Sequence, residues 1–208
     1  MRQMIPDYIV WRITETEEEL RAALDHPELY ADKVANLKAG SNRMLEVLAV
    51  RRAMKVLFGG EEKLVEYDEH GAPRLADGSQ YISISHTRDY VAVIASDAPV
   101  GIDIERRGER VQRVTSHFLQ HDELALLALS SADDQALQLA LHLAWSAKEA
   151  AFKVLGPSYY DLQHLTRIVQ IDWHGKQITM EVHNLQQSLT LGFDYTPDYV
   201  LVWLEMRH

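Results

Sequence analysis

Two short segments of this 208-residue chain carry residue types that suit metal and phosphate chemistry. The first, Val100-Gly101-Ile102-Asp103-Ile104-Glu105, predicts a buried strand. Residues i and i+2 of a strand share a face, so Asp103 and Glu105 project together, away from Ile102 and Ile104, and can share one cation. The second, Trp145-Ser146-Ala147-Lys148-Glu149-Ala150-Ala151-Phe152-Lys153, contains no Gly or Pro and predicts a helix. Its 100° steps place Trp145, Lys148, Glu149, Phe152 and Lys153 within one broad stripe. Hard oxygen ligands favour Mg²⁺, which takes one or two carboxylates from a protein and fills its other positions with waters and substrate phosphates. Nearby ammonium groups would neutralise phosphate oxygens, in chemistry governed by positioning and charge. Plainer readings exist for each piece. An isolated D-x-E also suits a solvated strand face, Glu149 and Lys153 suit an i,i+4 helix pair worth about 0.2–0.5 kcal/mol, and Trp145 and Phe152 suit a core.

The elements that must hold these groups can be traced along the chain. Tyr8 to Thr14 predicts a first strand, followed by an acidic helix over Glu15 to Leu24 with Thr14 and Glu17 as its capping box. Ser41 to Phe58 predicts a long helix ending at Gly59-Gly60, and Tyr81 to Ser85, Tyr90 to Ala95 and Val100 to Glu105 predict three strands. A helical stretch from about Asp122 to Leu155 is broken near Ser130 to Asp134 and stopped by Gly156-Pro157. Arg167 to Asp172, Gln177 to His183, Ser188 to Phe193 and Tyr199 to Glu205 alternate like antiparallel strands. The pattern is α+β. A faint repeat, Ala53–Gly59 against Ala151–Gly156 and Tyr90–Val93 against Tyr199–Val202, suggests two related halves or the chance similarity of amphipathic helices.

Five segments, in order, resemble the 4'-phosphopantetheinyl transferases, specifically their long single-chain group. They are His70-Gly71-Ala72-Pro73-Arg74-Leu75, Ser83-Ile84-Ser85-His86-Thr87, Val100 to Glu105, Phe118 to Glu123 and Trp145 to Lys153. Their order, more than any one of them, makes the match specific. The resemblance implies two similar α+β halves forming a pseudo-dimer, residues 1–98 and 99–208, with the active site in the cleft between them. It implies Mg²⁺ on Asp103, Glu105 and Glu149, catalytic roles for Glu149 and Lys153, and coenzyme A contacts from Arg43, Arg51, Ser85, His86, Thr87, Lys148 and Lys153. The N-terminal half would then serve the nucleotide side of coenzyme A. Arg52 and Lys55 lie on the same helix as Arg43 and Arg51, and a solvated helix face explains this basic group equally well.

The implied reaction transfers 4'-phosphopantetheine from coenzyme A to a serine of an apo acyl or peptidyl carrier protein and releases 3',5'-ADP. Glu149, directly or through a water on the ion, would take the serine proton. Departures from the family pattern are Ala72, where many members carry Lys, Ser83 in place of Asn, and Phe118-Leu119-Gln120 in place of an F-F-S-type segment. Two alternatives remain open: a non-catalytic coenzyme A or carrier-binding homologue, and a metal-dependent nucleotide pyrophosphate hydrolase.

Composition narrows the field. Lys and Arg total 21 against 31 Asp and Glu, a net −10, which disfavours a broad nucleic-acid surface. Arg106, Arg107, Arg110 and Arg113 nevertheless form a basic island after the metal segment, suited either to steering an acidic carrier or to an ordinary charged loop. No cysteine is present, which excludes a thiol nucleophile and disulfide scaffolding and fits a reducing cytoplasm. Met1 to Asp7 lacks a signal-peptide run, and no apolar span reaches a bilayer's thickness. A cytoplasmic monomer with an internal pseudo-twofold, and no membrane partner, is the expectation. His117 and His121 have helical metal spacing but no third ligand, and no serine-hydrolase elbow, P-loop or dinucleotide turn occurs.

Overall fold

The computed structural model of the chain describes residues 7–108, 110–183, 185 and 188–207. It is α+β, with the chain divided into two compact units. One ends at Val100 and takes in the segment from Glu205, and the other runs Gly101–Leu204. The return of the last residues to the first unit has no signature in the sequence. It is held by Met206 N–H donating to Pro99 O at 2.9 Å and by the Ser96 hydroxyl donating to Glu205.

In the first unit, β1 (Asp7–Arg12) leads to α1 (Glu17–Ala22), the short α2 (Ala31–Val34) and α3 (Asn42–Leu57). Helix α1 starts two residues later than the sequence predicts: Thr16 and Glu19, not Thr14 and Glu17, form the capping box. Glu15 explains the shift. Its carboxylate accepts from the Trp11 indole and from Thr14 N–H, satisfying the donors at the strand's end and delaying the helix. Ser41 caps α3 by accepting from Met44 N–H, and Gly59 and Gly60, both at positive φ, end it.

A small hairpin follows, β2 (Val65–Tyr67) and β3 (Pro73–Leu75), which the sequence reading did not identify. Asp68 organises its loop by accepting from His70 and Ala72 N–H at 2.9 and 2.8 Å, with Gly71 at φ 82°. Strands β4 (Tyr81–Thr87) and β5 (Tyr90–Ser96) complete a three-stranded antiparallel sheet in the order β1-β5-β4. Helix α3 packs on β5 and β1. Its Leu48, Ala49, Ala53 and Met54 bury against Val91, Val93 and Ala95, with Leu20 and Tyr30 closing the core.

The second unit begins on β6 (Val100–Arg106), then α4 (Arg110–Arg113), α5 (His121–Leu129), α6 (Asp134–Leu155) and α7 (Leu162–Leu165). Asp133 caps α6, which ends at Gly156, φ 83°. Strands β7 (Thr166–Asp172), β8 (Gln177–Val182), β9 (Leu189–Tyr195) and β10 (Tyr199–Glu205) join β6 in a five-stranded sheet ordered β6-β10-β9-β8-β7. The buried residues of α6 are mostly small, Ala140, Ala144, Ala147, Ala150 and Ala151, and small side chains let a helix lie close to a sheet. Ile168, Ile178, Met180, Leu191, Phe193, Val200 and Val202 are buried in the same unit. Each of the two echoed helical segments lies at the C-terminal end of a long helix, and each echoed strand segment opens a strand. Among the described residues, no helix is long and apolar enough to cross a membrane.

Candidate functional site

Gly101 decides how β6 meets α6. A Cβ at this position would lie 2.0 Å from Ala150 O and 2.8 Å from Val154 Cγ2, so the helix backbone passes directly over the strand. A glycine inside a strand pattern signals such close approach, but the sequence reading drew nothing from it. By strand alternation Gly101, Asp103 and Glu105 share that face, so the crossing brings Glu149, beside Ala150, and Lys153, about one turn on, to Asp103. Lys153 Nζ donates to Asp103 Oδ1 at 3.0 Å and to Ile102 O at 2.7 Å, and the lysine side chain stays a quarter exposed.

Asp103 is buried, Glu105 half-buried. Burial, and after it the negative charge of Asp103, pushes the Glu149 carboxyl above its ordinary value, while Lys153 pulls it part of the way back. Asp103, Glu149 and Lys153 are thus one electrostatic group. Among the described residues no set of three or more His, Asp and Glu is arranged to hold a metal ion, and Glu105 lies on the strand face of Asp103.

Lys148 is placed elsewhere. Its side chain has no exposure, and Nζ donates to Phe118 O, Thr166 O and Leu162 O at 2.7, 2.9 and 3.1 Å and pairs with Glu123 Oε1 at 2.8 Å. An ammonium has three protons, and these acceptors use them all. The expectation that Lys148 meets phosphate is therefore corrected: helical spacing puts it on the broad stripe, but its long side chain turns into the protein. Burial lowers its pKa and Glu123 partly restores it. Glu123, also unexposed, accepts from Ile168 N–H at 2.8 Å and Gln120 N–H at 2.9 Å. The pair ties the 118–123 segment, α7 and the start of β7 to α6. Trp145 supports the same region, edge-on to Phe118 with ring centres 5.1 Å apart.

In the first unit Arg43 and His86 converge. Arg43 Nη1 lies 2.7 Å from His86 Nε2 and donates to Glu46 Oε2 at 3.1 Å, and His86 Nδ1 is 3.3 Å from the same oxygen. The Arg43 side chain is 55% exposed and that of His86 40%, so both are open to a ligand. Because β4 continues through Thr87, alternation turns Ser85 and Thr87 to one face with Ser83, and His86 to the other with Ile82 and Ile84. The three residues of the Ser-His-Thr segment therefore do not all face one way.

The basic residues of α3 also separate. Lys55 is engaged with Asp25 at 2.6 Å and Glu62 at 2.8 Å, and Arg52 stacks over Trp11 at 5.7 Å. Arg51 is only 6% exposed, burial lowers its pKa with Tyr67 as the main counterweight, and its Nε has no hydrogen-bond partner among the described residues. Lys33, which the sequence reading did not single out, stands 3.3 Å over the Tyr67 ring and is lowered in pKa by burial, then by Arg51 and Arg43. Three cations, Lys33, Arg43 and Arg51, stand close enough for Arg51 and Arg43 to lower the proton affinity of Lys33. The basic character of this region was hidden because Lys33 comes from a different helix.

Of the basic island, Arg107 is fastened to the β9–β10 turn through Thr196 O at 3.3 Å, and the Arg110 side chain lies outside the described residues. A cavity of about 440 Å³ elsewhere in the second unit is lined by Gln120, His164, Thr166, Arg167, Glu181 and His183 among others, and by none of Asp103, Glu149 and Lys153.

With this geometry in view, the chain was compared with known proteins. Residues 99–202 match the family model described as the 4'-phosphopantetheinyl transferase superfamily. The chain is 28% identical over 130 residues to 4'-phosphopantetheinyl transferase gsp of Aneurinibacillus migulanus, covering 62% of this chain and 54% of that protein. It is 34% identical over 97 residues to 4'-phosphopantetheinyl transferase psf-1 of Bacillus pumilus, covering 46% and 41%. The matched region spans about half the length of these curated relatives.

Proposed function

The chain belongs to the 4'-phosphopantetheinyl transferase superfamily, and from that premise we propose that it moves 4'-phosphopantetheine from coenzyme A to a serine of an apo acyl or peptidyl carrier protein, releasing 3',5'-ADP. The observation that carries this reading is the convergence of Asp103, Glu149 and Lys153 at the Gly101 crossing. Two hard carboxylates, with the charge of Asp103 close enough to raise the proton affinity of Glu149, form a donor set suited to Mg²⁺, which needs only one or two from the protein. Asp103 and Glu149, with Glu105 on the same strand face, would hold it. Bound there, Mg²⁺ supplies positive charge for pyrophosphate oxygens.

The chain's own groups do the rest. Lys153, already aimed at Asp103 and a quarter exposed, presents its ammonium to the phosphate. The serine oxygen forms a bond to the β-phosphorus while the bond from that phosphorus to the bridging oxygen of 3',5'-ADP breaks. The serine proton would pass to Glu149, the carboxylate assigned as general base. In the first unit Arg43, His86 and Arg51 are assigned to coenzyme A. Arg51 supports this, because a buried guanidinium with an unmatched Nε is costly unless an acceptor arrives. Ser85 and Thr87, on the opposite strand face, are assigned to the fold, and Lys148 to positioning.

Release of 3',5'-ADP from coenzyme A, followed by chromatography with and without apo carrier, tests the reading. Carrier-dependent release is expected. Release without carrier would identify a pyrophosphate hydrolase instead, and coenzyme A binding with no release would identify a non-catalytic homologue.

A further inference from the structure

His142 lies on α6 seven residues before Glu149, two turns away along the same side of the helix. It has no exposure, and both ring nitrogens meet backbone groups. Nδ1 lies 2.8 Å from its own helix's Gln138 O, and Gly108 N–H points to Nε2 at 3.1 Å. A backbone N–H can only donate and a carbonyl can only accept, so the ring is neutral with its proton on Nδ1.

Gly108 is two residues beyond the end of β6 and three beyond Glu105. Its neighbour Arg107 is held from the other side, its N–H donating to Asp198 O at 2.9 Å and its guanidinium to Thr196 O. We propose that His142 is a positioning residue that fixes the exit of β6, and with it the setting of Glu105 and the direction in which the Arg106–Arg113 segment leaves the strand, by accepting a hydrogen bond from Gly108 N–H.

The ring's setting supports an acceptor role over a titrating one. Burial, then the nearby Arg107 charge, depresses its pKa, which keeps Nε2 free to accept at neutral pH. Helix α6 thus holds β6 at two places: through Lys153, Asp103 and Ile102 at the middle of the strand, and through His142 and Gly108 just past its end. The link to Glu105 as a metal residue rests on the proposed function, but the hydrogen bond itself does not.

The pair His142→Gln and His142→Asn separates the roles, because both are polar and similar in bulk. Glutamine carries an amide oxygen to about the reach of Nε2, whereas the shorter asparagine matches only Nδ1. Amide hydrogen exchange at Gly108, followed by NMR at pH 8, is the first readout. His142→Asn should speed it by about fivefold, the worth of one ordinary hydrogen bond, and His142→Gln should leave it near wild type. The half-saturating Mg²⁺ concentration for carrier modification is the second, with about a fivefold rise in His142→Asn and rescue in His142→Gln. Equal Gly108 exchange in both variants would overturn the proposal. Failure of the wild type to modify any carrier would overturn the transferase reading alone, since the exchange comparison needs no substrate.

Discussion

Replacing Gly101 by alanine places a methyl carbon 2.0 Å from a main-chain oxygen of α6 and 2.8 Å from the Val154 side chain. Val154 can rotate away. Ala150 O cannot, because it belongs to the helix backbone. Restoring an ordinary contact of ~3.5 Å requires strand and helix to part by about 1.5 Å at this point. Overpacking of this kind costs about 1–3 kcal/mol, which for a chain of this size lowers Tm by roughly 2–12 °C. The same displacement carries Glu149 and Lys153 away from Asp103, and a misplacement of about 1 Å at reacting groups can cost 100-fold in rate. Thermal unfolding by circular dichroism and the initial rate of carrier modification are the assays. Gly108→Ala, whose methyl would meet nothing within 4 Å, is the stability control and should stay within about 0.5 kcal/mol of wild type. Adding Val154→Ala to Gly101→Ala should recover little. A Gly101→Ala protein that melts with wild type and modifies carrier at the wild-type rate would refute the claim that this crossing sets the site.

Lys148→Met should destabilise by about 3–5 kcal/mol by leaving Glu123 buried without its charge partner, and Glu123→Leu in the same chain should recover much of the loss in chemical denaturation. Glu149→Gln in EDTA should melt above wild type at pH 8. The raised folded pKa means that Glu149 favours the fold below the ordinary glutamate range and loses that contribution as pH rises through its folded value, so the gap should close at acidic pH; equal melting at pH 8 counts against the buried pairing with Asp103. Arg51→Met should leave the ligand-free protein as stable as wild type or more so, because it removes a buried charge whose Nε has no hydrogen-bond partner among the described residues, yet weaken coenzyme A binding by calorimetry; unchanged affinity would remove Arg51 from the ligand site.

Hydrophobic period and turn residues made the long elements legible. The strands at 81–87, 90–96 and 100–106 and helices α3 and α6 stand within two residues of expectation, because their apolar faces are long and their ends carry Ser41, Asp133 and glycine signals. The hairpin β2–β3 escaped because three-residue strands are too short to show a period. Thr14-x-x-Glu17 and Thr16-x-x-Glu19 satisfy the same capping rule, and only the bonds made by Glu15 choose between them.

At the site, D-x-E alternation and helical spacing offered Asp103, Glu149 and Lys153, the family resemblance joined them in one site, and they lie together. The same spacing could not show where Lys148 would turn, since a four-carbon side chain can run to solvent or fold inward to Glu123. Lys33 and His142 were missed for a different reason. Each has its neighbour distant in sequence, Arg51 beside Lys33 and Gly108 beside His142, and neither sits in a recognisable motif.

The most direct test of the central claim is the intact mass of several apo carrier proteins after incubation with this protein, coenzyme A and Mg²⁺, run beside Asp103→Ala and EDTA controls. The account predicts a gain of one phosphopantetheine on at least one carrier, absent from both controls. A gain that persists in Asp103→Ala and in EDTA would contradict the assignment of a metal to these carboxylates, and no gain on any carrier, with coenzyme A still bound, would contradict the transferase itself.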